Sequence, residues 1–175
     1  MLELFLFGRI RFSQIPVRKI CVAVINGKDY EEGVNIRAEE FYRMQEDGAD
    51  ITTAQPSPTT MTSLWDAVLQ DYDELVFLPM TSGLSGTCAT AQMLSQDYGG
   101  RVEVADNCAI SATLKMAAID AKKLADEGVS AREIREALEA HTDNARIFIT
   151  VNTLKYLKKG GRVTPAAAAI GDMLN

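Results

Sequence analysis

Leu75-Val76-Phe77-Leu78-Pro79, continued by Met80-Thr81-Ser82-Gly83-Leu84-Ser85-Gly86-Thr87 and by helix-forming composition to Leu94, is the stretch that decides the fold. Five apolar residues suit a buried strand and are too few for a helix of ordinary length. Glycine and hydroxyl residues then break the run before the helical pattern begins, so the order is strand, loop, helix. Downstream the alternation repeats. Arg101 to Ala105 reads as a strand ended by Asp106-Asn107, and a long helix runs from about Ile110 to Asp126, where Gly128 stops it. Ser130-Ala131-Arg132-Glu133 has capping-box spacing, which predicts a helix to about Ala140. Ile147 to Val151 supplies a further strand. Asn152 caps a short helix closed by Gly160-Gly161, and Thr164-Pro165 starts an alanine-rich one. Strands alternating with helices predict an α/β fold, a three-layer α/β/α sandwich with a mainly parallel sheet.

Upstream, Val17 to Ile25 is rich in β-branched and apolar residues. Asn26-Gly27 follows, then Lys28-Asp29-Tyr30, which is the signal for a two-residue hairpin. Asn35 precedes a short helix through Met44, with Glu39 and Glu40 in its first turn, where the helix end is positive. Ser57-Pro58 caps and starts a helix whose apolar positions are Met61, Leu64, Trp65, Val68 and Leu69. Met1 to Ile10 is interrupted by Glu3 and followed by Arg9 and Arg11, so we read neither a signal peptide nor, anywhere, the roughly 20 apolar residues of a membrane span.

With 175 residues, 47% hydrophobic and 24% charged, the chain has the makings of one soluble domain. A net charge of -6 offers no basic footprint for nucleic acid. Cys21, Cys88 and Cys108 are odd in number and lack metal-type spacing, which fits a reducing, cytoplasmic setting. Cys88 and Cys108 read as small buried residues.

The chemistry concentrates in the loop. Backbone N–H groups and hydroxyls between a strand and a helix start can converge on an anion. A Walker loop would require lysine where Gly86 stands, so a carboxylate suits this neutral cradle better than a nucleoside triphosphate. The plainer alternative is that Gly83 and Gly86 shape a turn while Ser85 and Thr87 cap a helix. Thr52-Thr53-Ala54-Gln55-Pro56-Ser57, a second hydroxyl-rich turn before a helix start, favours the ligand reading. Gly83-Leu84-Ser85-Gly86 only partly matches a nucleophile elbow, and the sole histidine, His141, is expected at a helix C-terminus. Arg162, set by Gly160-Gly161, either complements a helix end or reaches a carboxylate. Asp106 and Ser111 flank a strand end, where sites form and helices are capped alike.

Thr53-Ala54-Gln55-Pro56-Ser57-Pro58, Ser82-Gly83-Leu84-Ser85-Gly86-Thr87 and Leu154-Lys155-Tyr156-Leu157-Lys158-Lys159-Gly160-Gly161-Arg162, in this order, resemble the motifs of DegV family proteins. The likeness runs from about Ile15 to Asn175. It implies a DegV-type first domain and a bacterial protein, not itself an enzyme, that binds a long-chain fatty acid and presents the acyl carboxylate to a separate ATP-using fatty acid kinase subunit. It further implies Thr53 and Ser85 as hydrogen-bond partners of the carboxylate, with Ser82, Gly86 and Thr87 completing the loop and Arg162 close by. No cofactor or metal is implied.

Family members open on a strand with an Asp-Ser-Thr type motif that Met1 to Gln14 lacks, and they continue past the equivalent of Asn175. The expectation is therefore a chain truncated at both ends, with 1–14 atypical, 15–163 the α/β domain and 164–175 the start of a second domain. Burying an acyl tail yields about 0.8 kcal/mol per CH2, whereas a head-group hydrogen bond nets roughly 1.5–3 kcal/mol. Half a tunnel should thus bind weakly and self-associate through apolar surface. A serine hydrolase built on Ser85 and a structural fragment without ligand are the competing readings.

Overall fold

A computed structural model describes residues 5–8, 22–31, 34–142, 148, 150–151, 153–164 and 167. Its centre is β5 (Leu75–Leu78), which pairs in parallel with β6 (Val102–Val104), Phe77 lying opposite Val104. Strand β1 (Phe5–Gly8) runs antiparallel along the other edge of β5, Phe5 opposite Leu78. The N-terminal segment, read from sequence only as atypical, thus supplies a sheet strand.

All four residues of β5 are buried because helices cover both faces, as parallel strands require. On one side Leu75 and Phe77 pack with Val102 and Val104 against Met61, Leu64 and Trp65 of α2 (Pro58–Val68) and Cys88 and Ala91 of α3 (Thr87–Ser95). On the other, Val76 and Leu78 meet Leu114, Ala118 and Ala121 of α4 (Ser111–Asp126) and Ala131 and Ile134 of α5 (Ala131–Glu139). The period-2 alternation of one strand thereby divides two cores and makes the three layers.

The expected helix signals act locally. The Ser57 hydroxyl accepts from the Thr60 N–H at 3.1 Å with Pro58 in the first turn. Ser130 and Glu133 close the capping box reciprocally. A short helix, α6 (Lys155–Lys159), ends at Gly160-Gly161, where Gly161 has a φ of 72°.

A second, antiparallel sheet has the order β3-β2-β4, from β2 (Val22–Ile25), β3 (Lys28–Glu31) and β4 (Ile51–Ala54). Asn26-Gly27 turns the hairpin with φ of 49° and 78°, the left-handed pair that a type I′ turn needs. Helix α1 (Ala38–Glu46) follows it. The Thr52–Ser57 segment, expected as a turn, begins as strand β4 because its β-branched residues pair with β2. Most of the strand expected at 147–151 lies outside the described residues; Phe148, Thr150 and Val151, which are described, belong to no strand. The helix expected after Thr164 also lies largely outside them, although the Thr164 hydroxyl accepts from the Ala167 N–H at 3.2 Å, as a cap does.

Candidate functional site

The loop after β5 is organised around Thr81, whose carbonyl accepts from the N–H groups of Leu84 and Ser85 and whose hydroxyl accepts from that of Gly83. This tight wrap delivers Ser85 to the start of α3. There its Oγ lies 2.8 Å from Thr87 Oγ1 and accepts from the Thr87 N–H at 3.2 Å. Thr87 is fully buried. Gly86 is the N-cap and has no side chain to offer, so the Ser85 hydroxyl takes the first helical N–H from one residue further out, and two hydroxyls stand at the positive end of α3.

Gly86 has an ordinary φ of -70°, so backbone freedom does not require glycine there. A Cβ there would stand 3.0 Å from Gln55 Oε1. Gln55 Nε2 in turn donates to Thr90 Oγ1 at 3.2 Å. The two hydroxyl-rich segments, 35 residues apart in sequence at this contact, therefore meet. Thr53 sits on β4 opposite Ala23, exposed, with no hydrogen-bond partner for its hydroxyl among the described residues.

Arg162 reaches the same loop, its Nε donating to the Leu84 carbonyl at 3.4 Å. The Gly160 carbonyl accepts from Arg162 Nη1, and a Cβ on Gly160 would crowd that atom at 3.2 Å. The adjacent Lys159 pairs with Asp50, just ahead of β4. Ser82 is exposed on the loop's other flank, where its N–H donates to Asp106 Oδ1 at 3.3 Å. The structure thus gathers Ser85, Gly86, Thr87 and Arg162 about one turn, brings β4 alongside through Gln55, and holds Ser82 by its backbone.

Neither the Cys88 thiol nor the His141 imidazole is a hydrogen-bond partner of Ser85. Burial first, and then the Asp106 carboxylate, push the Cys88 thiol up to about 12, so it stays protonated. Cys108, expected to be buried, is exposed with a φ of 54°, because the β6–α4 connection turns outward there. His141 follows α5, with Nδ1 2.7 Å from the Ala137 carbonyl. It lines a cleft of about 330 Å³ beside Met116 and Leu138, not the hydroxyl loop. Ser85 has no imidazole or carboxylate partner among the described residues, so nothing among them would activate it as a nucleophile.

Sequence reasoning included Gln55 in a motif without giving it a role, and missed Thr90. The spacing of Gly86 and Thr90, one helical turn apart on one face, is the signal that could have found the pair.

Known proteins share this architecture. A family model described as "Uncharacterised protein, DegV family" matches residues 13–175. A DegV domain-containing protein of Staphylococcus aureus is 33% identical over 150 residues, covering 86% of this chain and 54% of that protein. A fatty-acid-binding DegV family protein of Thermus thermophilus superposes with a TM-score of 0.75 at 32% identity, over 89% of this chain and 56% of that one. The Fatty Acid Kinase (Fak) B3 protein of Streptococcus pneumoniae, solved with linoleic acid, gives 0.67 at 17% identity over 87% of this chain and 54% of its own, a likeness of fold alone. The chain spans about half the length of the curated relatives it matches. Matched by that model over nearly its whole length, the chain belongs to the DegV family.

Proposed function

We propose that the chain binds a long-chain fatty acid by its carboxylate, at the turn where Ser85, Gly86 and Thr87 begin α3. The observation that carries this reading is the contact of Gln55 with Gly86 and Thr90, which sets β4 beside that helix start. Residues two apart on an extended chain share a side, which supports assigning Thr53 to the same site as Gln55. Ser85 and Thr53 are assigned the carboxylate hydrogen bonds, Ser82 and Gly86 the rest of the rim, the buried Thr87 the support of Ser85 through its hydroxyl, and Arg162 the complementary charge. Neutral donors at a helix N-terminus orient an anion without requiring a metal.

In the same reading, residues 15–163 form the first domain and 164–175 open a second one, which completes a shelter for the acyl tail. The bound acid is presented to an ATP-using fatty acid kinase subunit in the cytoplasm, and the chain has no catalytic residue of its own. This partner assignment follows from the resemblance in three motifs. No helix among the described residues is long and apolar enough to cross a membrane.

Native mass spectrometry of the protein purified from bacteria tests the ligand. A palmitate adduct after incubation is expected, and its absence counts against the proposal. Ser85→Ala should weaken palmitate binding roughly tenfold, since a hydrogen bond to a charge nets about 1.5–3 kcal/mol. It should also cost about 1 kcal/mol of stability through the lost bond to the Thr87 N–H. Unchanged affinity would move the carboxylate elsewhere.

A further inference from the structure

The hydroxyl loop hangs from the β6–α4 connection by two bonds. The Thr81 N–H donates to the Ala109 carbonyl at 3.0 Å, and the Ser82 N–H to Asp106 Oδ1 at 3.3 Å. The same Oδ1 accepts from the Cys108 N–H at 3.4 Å. That connection and the first residue of α4 have left-handed backbone at two non-glycine positions, Cys108 at 54° and Ser111 at 53°. Such conformations persist only where surrounding contacts over-determine them.

One determinant comes from α5, in the other helical layer. Glu139 Oε1 accepts from the Asp106 N–H at 3.2 Å, while Oε2 takes Arg135 Nη1 at 2.7 Å. Arg135 is anchored independently on the sheet, its Nε 2.7 Å from Glu103 Oε2. Arg135, Glu103 and Glu139 side chains are only 26%, 19% and 30% exposed, so these bonds are shielded from competing water. A continuous path of bonded groups thus leads from Glu103 through Arg135, Glu139 and Asp106 to the Ser82 N–H.

We infer that Asp106, held from the far layer by Glu139, is a positioning residue for the Ser82–Thr87 loop. It rests on the reading of that loop as a carboxylate cradle, and it acts as a hydrogen-bond acceptor, not as a charge. An amide oxygen in the same place would serve the Ser82 and Cys108 N–H groups, since Oδ1 alone receives both, and only the Cys88 thiol would lose a carboxylate neighbour. A charge contribution would behave differently, because replacing a carboxylate by an amide near a bound anion should tighten binding and change its salt dependence.

The test combines amide hydrogen exchange with palmitate titration on the full chain. Asp106→Ala should lose about tenfold or more in protection at the Ser82 and Cys108 amides, and Glu139→Ala several-fold, with β5 and α2 amides unchanged. Asp106→Asn should retain wild-type protection, and its palmitate Kd should stay within about threefold while that of Asp106→Ala rises about tenfold. The inference is overturned if Asp106→Ala leaves Ser82 protection intact, if Asp106→Asn is as damaging as alanine, or if loss of protection spreads evenly over the chain. Should the wild-type protein bind no palmitate while the exchange pattern holds, positioning stands and the carboxylate reading falls. Should it bind palmitate equally well in all variants, the inference falls alone.

Discussion

The two sheets of the molecule are built from similar short strands and bury very different amounts of surface. Strand β5 has all four side chains at 1% exposure or less, with helices over both faces. Among the described residues, the core at the β3-β2-β4 sheet consists of Ala23 and Ile25 with Ile36 from the connection to α1, and α1 has no buried residue. Since stabilisation scales with apolar area removed from water, the central layer sets global stability and the small sheet opens at lower cost. Yet the proposed site draws on both: Ser85 and Thr87 stand on the firm layer, Thr53 and Gln55 on or just beyond the thin one. A ligand gripping both would order the weaker sheet as it binds.

The largest effect should come from Trp65→Ala. Trp65 is fully buried, with its ring edge-on to Phe77 at 5.2 Å and to Tyr98 at 5.4 Å. Such a truncation costs about 3–5 kcal/mol, read as a fall in denaturant midpoint. Because Trp65 Nε1 is buried without a partner among the described residues, the loss should lie toward the lower end of that range. Ile25→Ala, by contrast, should speed exchange in β2, β3 and β4 while β5 amides keep their protection. Equal loss throughout would mean that the two sheets form one cooperative unit, and the contrast would fail.

Asn26→Ala sharpens the same point at the hairpin. Asn26 holds a left-handed backbone, and its side chain accepts from the Asp50 N–H at 2.9 Å. Strain and the lost bond together should lower the opening energy of the small sheet by about 2 kcal/mol, with little change in global midpoint.

The central layer should carry a pH dependence at Cys88. Cys88 is held protonated to about 12 against an ordinary 9.0, so its contribution is fully present below pH 9 and is lost as pH rises toward 12. The loss sets in above pH 9 and grows with each further step in pH. Cys88→Ala should remove that slope from the denaturant midpoint measured between pH 8 and 10. A slope unchanged by the substitution would place the titrating group elsewhere.

Legibility follows the same division. Local signals with a mechanism were readable: Ser57-Pro58, the Ser130–Glu133 box, Asn26-Gly27, and the short apolar run of β5. Strand β4 was not, because Thr52 and Thr53 are exposed and owe their conformation to pairing with β2, a contact across 28 residues. Nor was β1, whose pairing with β5 joins segments some 70 residues apart. At the site, composition and order marked Ser85, Gly86 and Thr87. The bonds from Gln55 to Thr90 and from Asp106 to Ser82 depend on which loops fold together, which periodicity does not encode.

Lys159 provides the mildest test of the contrast. Its ion pair with Asp50 is a direct side-chain tie between α6 and the turn ahead of β4, and both side chains are well exposed, at 43% and 74%. Exposed pairs contribute only tenths of a kcal/mol, because water and salt screen them and two long side chains must be ordered. Lys159→Ala should therefore leave the global midpoint unchanged and raise exchange at Ile51 and Thr52 by less than about threefold. If exchange there rises tenfold or more, the small sheet owes its order to α6 and not to its own three-residue core. The Arg162 motif would then be a clasp that holds Thr53 in place as well as a source of charge.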